Sequence, residues 1–156
     1  MASLDKQKIQ DLLFFVASDF EDSLIDDVAE LIDKLAASRE WLLGPPVFVN
    51  EELEGPDVYK GSEEDEDIYT LGGLFRLYSS YSPERLPREV DRIHFEEVQE
   101  IVRQVRRFSL EKQVDFEFEL DQEHIGTIRN GEMDRSLREG LLEEWEAVLR
   151  GEREGL

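Results

Sequence analysis

Apolar residues recur along this chain in two periods. Ile9, Leu12, Leu13 and Val16 stand at helical spacing, with Phe20 one turn on, and predict a first helix over residues 5–18. Leu24, Ile25, Val28, Leu31, Ile32 and Leu35 form a cleaner stripe. They predict a second helix, capped by Ser18 or Asp19 and running to about Ala37. Gly44-Pro45-Pro46 ends this stretch, and Val47-Phe48-Val49 reads as a short strand. Residues 50–67 turn polar around Gly55-Pro56, Gly61-Ser62 and the run Glu63-Glu64-Asp65-Glu66-Asp67, the pattern of a mobile acidic loop. Ile68, Leu71, Leu74, Phe75 and Tyr78 return to helical spacing, which Gly72-Gly73 weakens. After Pro83 and Pro87, Asp91 caps a helix from about Arg92 to Phe108 with Phe95, Val98, Ile101, Val102 and Val105 inward.

The period then changes. Val114-Asp115-Phe116-Glu117-Phe118-Glu119-Leu120 alternates without a fault, the strongest strand signal in the chain. Its partner is His124–Arg129. A three-residue loop, Asp121-Gln122-Glu123, sets Phe116 opposite Ile128, Phe118 opposite Gly126 and Asp115 opposite Arg129. A four-residue loop would set Leu120 opposite Ile125 instead. Asn130-Gly131 makes a turn, and Asp134 or Ser136 caps a last helix with Leu137, Leu141, Leu142, Trp145, Val148 and Leu149 buried. A hairpin alone is marginal and needs cover. These elements predict one α+β domain over residues 1–156, rich in helix, with a small antiparallel sheet near 114–129 covered by helices.

Charge adds what periodicity does not show. Thirty-nine Asp and Glu face 18 Lys and Arg, a formal net charge of −21 on 156 residues. Residues 1–70 hold 19 acids and 5 bases, and residues 71–156 hold 20 acids and 13 bases. Phosphate contacts need clustered Lys and Arg, so direct nucleic-acid binding is not expected, nor is an anionic membrane surface. There is no Cys, which excludes disulfides and thiolate chemistry and fits a reducing, cytoplasmic setting. No run reaches the roughly 18 apolar residues of a membrane helix.

Candidate chemistry is sparse. His94 has Glu97 and Val98 one turn on and reads as ordinary helix surface, and His124 lies at a hairpin end beside Glu123. Neither sits in a catalytic motif, and no P-loop, G-x-S-x-G, G-x-G-x-x-G or H-E-x-x-H occurs. The acids at 63–67 lack the spacing, central Gly and closing Glu of a calcium loop, so neither a metal nor a cofactor is expected. Arg103, Arg106 and Arg107 suit the C-terminal dipole of their helix. What remains is the acidic face of the second helix, Asp19, Asp22, Asp26, Glu30 and Asp33, answered locally by Lys34 alone. Tyr69, Tyr78, Tyr81 and Phe75 cluster beside the acidic loop, the makeup of a protein-binding patch.

The expected partner is therefore a basic protein. Asp19, Asp22, Asp26, Asp33, Glu63, Glu64, Asp65, Glu66, Asp67 and Tyr69 would meet it. In its most concrete form the chain is a bacterial immunity protein or antitoxin that covers a cationic toxin. Three alternatives stay open: an enzyme or small-ligand protein in which His94, His124 and the arginines of 103–107 converge on a pocket, a nucleic-acid mimic, and a homo-oligomer built on an exposed apolar stripe.

Overall fold

The computed structural model describes residues 8–18, 20–53, 68–78 and 87–149. The first element is a strand, β1 (Ile9–Val16), where helical spacing predicts a helix. Leu12, Phe14 and Val16 turn into the core, and Leu13 and Phe15 turn to the other face of the sheet. A strand with apolar residues on both faces reads as a continuous run, and periodicity alone does not separate such a run from a buried helix. The second correction has the same cause. Residues 68–78 form β3 (Ile68–Tyr78), after β2 (Val47–Leu53), and its Leu71, Phe75 and Leu77 are core. Gly73 is needed there: a Cβ on it would collide with the Phe14 ring and the Ile32 methyl.

The helices follow their stripes. α1 (Ser23–Ala37) buries Leu24, Val28, Leu31, Ile32 and Leu35. Its N-cap is Asp22, without a side-chain capping bond. Ser18, expected as a cap, instead accepts the backbone N–H of Asp115 at 3.2 Å. α2 (Arg88–Lys112) begins earlier than Asp91, directly after Pro87, whose extended ψ of 138° stops the helix on its N-terminal side. It ends at Gln113 in the left-handed region, φ 57°.

β4 (Phe116–Leu120) and β5 (Glu123–Arg129) form the expected hairpin, with Phe116 opposite Ile128 and Phe118 opposite Gly126. Asp115 and Arg129 approach to 3.9 Å. Toward the turn the register shifts, and Glu119 faces His124. This bulge shortens the expected loop to two residues, Asp121 and Gln122, with φ of 49° and 72°. Two successive positive φ values match the twist of the flanking strands. Asp121 is held in place by β1, since its carboxylate accepts the Asp11 N–H at 2.9 Å. The Asn130-Gly131 turn leads into the short β6 (Glu132–Met133). The Asp134 carboxylate then accepts the Leu137 N–H at 2.9 Å, capping a π-helical segment, Ser136–Glu143, that continues as α3 (Glu144–Leu149).

The described strands join one antiparallel sheet, in the order β2-β3-β1-β4-β5-β6. The fold is α+β, as expected, but the sheet is the organising element rather than a small hairpin. β1-α1-β2 and β3-α2-β4 interlock, each pair of strands spanning a strand of the other, as in the ferredoxin-like split β-α-β arrangement. Both long helices and the π-helical segment cover one face. There Phe14 stacks on Phe118, Phe108 meets Phe116 edge-on, and Leu137 sits so close over Gly126 that any larger residue would strike it.

Candidate functional site

The acidic stripe of α1 is on the helix face turned away from the sheet, because the opposite face supplies its core residues. Asp22, Asp26, Glu30 and Asp33 are all exposed. Glu30 pairs with Lys34 at 3.3 Å, and Asp27 reaches Lys112 of α2 at 3.6 Å. Asp22, Asp26 and Asp33 make no ion pair among the described residues. Asp19, Glu63, Glu64, Asp65, Glu66 and Asp67 lie outside the described residues. Tyr69 lies in β3, its backbone opposite Glu52. Phe75 belongs to the core, so it is not part of a surface patch with Tyr69.

An open groove of about 1030 Å³ runs beside α2. Arg39, Arg103, Arg106 and Arg107 line it, over Val102 and Leu110. Two of its arginines have structural work. Arg103 grips the Glu100 carboxylate with two bonds, at 3.0 and 2.7 Å, and this holds the Glu100 carboxyl below the usual range. Arg106 donates to the Gly131 carbonyl at 2.8 Å and fastens the β5–β6 turn to α2. Neither histidine lines the groove. The convergence of His94, His124 and the arginines that an enzyme reading requires does not occur there. Among the described residues no group of three metal-ligating side chains gathers.

His94 differs most from its sequence reading as helix surface. His94 and Glu97 are both 0 % exposed. The Tyr78 backbone N–H donates to His94 Nε2 at 3.1 Å, which places the ring proton on Nδ1. Nδ1–H then donates to Glu97 Oε1 at 2.8 Å, and Glu97 Oε2 accepts the Leu42 N–H at 2.7 Å. The pair thus clamps α2 to the end of β3 and to the segment after α1. One turn earlier Asp91 accepts the Trp145 indole N–H at 2.8 Å. Burial raises the Asp91 carboxyl above its usual range, against the opposing effect of the Trp145 hydrogen bond. A sequence signal for His94 existed: it stands four and seven residues before Val98 and Ile101, on the buried stripe of α2.

The second face of the sheet carries a further surface. Leu13, Phe15, Val49 and Leu74 point there, outside the core cluster, with Val47 63 % and Ile9 51 % exposed. Beside them β4 presents Glu117 and Glu119, with Asp115 just before the strand. Among the described residues no helix packs over this face, and none is long and apolar enough to cross a membrane. No protein-family model, curated protein or solved structure matches the chain.

Proposed function

We propose that this protein is an acidic binding module that captures a basic partner protein. Its most concrete form is a bacterial immunity protein or antitoxin, acting in the cytoplasm, that covers the cationic surface of a toxin. The observation that supports this is the line of exposed carboxylates on α1, of which Asp22, Asp26 and Asp33 have no ion pair among the described residues. In a chain of net charge −21 these groups repel one another and the rest of the surface. A cationic partner relieves that repulsion. Its attraction acts mainly on association rate and specificity, and burial of apolar contacts then sets the lifetime of the complex.

The test replaces Asp22, Asp26 and Asp33 together with Asn. A pull-down from the native host, repeated at high salt, supplies the partner, and association rates are then measured at two ionic strengths. The triple variant folds as the parent does, associates more slowly and shows a weaker salt dependence. An unchanged rate and salt slope would mean that the stripe is only a hydrated helix surface.

A further inference from the structure

We propose that the face of the sheet over which no described helix packs is a docking surface for a partner segment whose apolar side chains are flanked on one side by Lys or Arg. The proposal rests on the basic-partner reading above and moves its apolar contacts to the side of the molecule opposite the α1 stripe. The strand register supplies the geometry. Val47, Leu74, Leu13 and Glu119 form one row across β2, β3, β1 and β4. Val49, Gly72, Phe15 and Glu117 form the next. Each row therefore starts apolar at the β2 edge and reaches a carboxylate at β4, before His124 or Thr127 of β5.

An antiparallel sheet with one hydrated face normally alternates apolar inward and polar outward. β4 obeys this, with Phe116 and Phe118 inward and Glu117 and Glu119 outward. β1 and β3 do not: at their centre the outward side chains are Leu13, Phe15 and Leu74. A contiguous apolar patch with a polar border marks an interaction surface. The border decides the occupant. Glu117 lies 3.6 Å from His124, and Asp115 lies 3.9 Å from Arg129. Glu119 has no ion pair among the described residues and stands directly beside Leu13. A segment lying over the apolar rows would bring its flank onto Glu117 and Glu119, and only a cationic flank is complementary there. A second copy of the chain is disfavoured, since two molecules each of net charge −21 would have to meet.

The test uses the full chain, labelled with ¹⁵N, and three synthetic peptides: an amphipathic Lys/Leu helix former, its Glu/Leu counterpart, and a Lys/Ser peptide of the same charge. The Lys/Leu peptide should shift the amides of Leu13, Phe15, Val49, Leu74, Glu117 and Glu119, and the other two should bind at least about tenfold more weakly. Leu74→Ser should weaken the Lys/Leu peptide by about tenfold or more. Val47→Ser, at a position too exposed to unfold the protein, should act in the same direction. Glu117→Gln with Glu119→Gln should flatten the salt dependence. Shifts confined to α1 would overturn this surface and leave the basic-partner reading standing. No binding of the Lys/Leu peptide, or equal binding of the Glu/Leu peptide, would also overturn it, while the α1 kinetics still decide the broader reading by themselves. Self-association of the protein alone, abolished by Leu74→Ser, would assign the face to a second copy instead.

Discussion

Replacing Glu97 with Gln exchanges one buried oxygen for an amide nitrogen, and the surrounding hydrogen bonds leave that nitrogen no good orientation. The chain of contacts begins and ends on backbone donors, Tyr78 N–H at His94 Nε2 and Leu42 N–H at Glu97 Oε2. Between them there is room for a single proton, on the Nδ1···Oε1 contact of 2.8 Å. If the amide of the variant faces His94, Nδ1 must accept, and the ring proton moves to Nε2, against Tyr78 N–H. If the amide faces Leu42, two donors meet there instead. Either arrangement leaves one buried donor unpaired, a cost of about 1–3 kcal/mol. Removal of a buried charge offsets part of this, which favours the lower half of that range. For a domain of this length the loss corresponds to a fall in Tm of about 2–4 °C per kcal/mol. Glu97→Ala should cost more, because both donors lose their acceptor and a cavity opens. Glu96→Gln, on the exposed side of the same helix, should stay within about 0.5 kcal/mol of the parent. Urea unfolding at pH 7, read at constant m-value, measures all three. ¹⁵N spectra of the imidazole give an independent check, since Nδ1 should carry the proton. The reasoning fails if Glu97→Gln is as stable as Glu96→Gln, or if the ring proton is found on Nε2.

Phe118 is fully buried and stacked on Phe14, so Phe118→Ala should cost about 3–5 kcal/mol, whereas its outward neighbour Glu117→Gln should cost little; equal losses in denaturant titrations would sink the two-faced assignment of β4. Asp91 has its folded-state carboxyl raised by burial, so its ionised form subtracts stability above the raised value, and that penalty vanishes as pH falls through the ordinary aspartate range. Asp91→Asn keeps an acceptor for Trp145 and should therefore gain on the parent most at neutral pH and least in acid; thermal unfolding across that range, with the gain growing toward acid instead, would reverse the sign assigned to Asp91.

Much of the local structure was legible in the sequence because one face of each element is polar. α1 and α2 carry stripes with charged backs, and β4 alternates Phe with Glu, so the period names the element and its inward side. The hairpin register near Phe116 and Phe118 followed from the same alternation. The bulge toward Glu119 did not, because Asp121 takes its left-handed conformation while bonded to Asp11, more than a hundred residues away. β1 and β3 were illegible for the opposite reason. Their central residues are apolar on both faces, so Leu12–Val16 and Leu71–Phe75 carry no strand period, and only pairing with neighbours decides their state. The acidic surplus, the absence of Cys and the stripe of Asp22, Asp26 and Asp33 belong to the sequence by itself. The burial of His94 with Glu97, and the rows that set Leu13 and Phe15 beside Glu119 and Glu117, belong to the tertiary structure. Such juxtapositions join residues from separate elements, and it is the order of strands in the sheet, not their spacing along the chain, that brings them together.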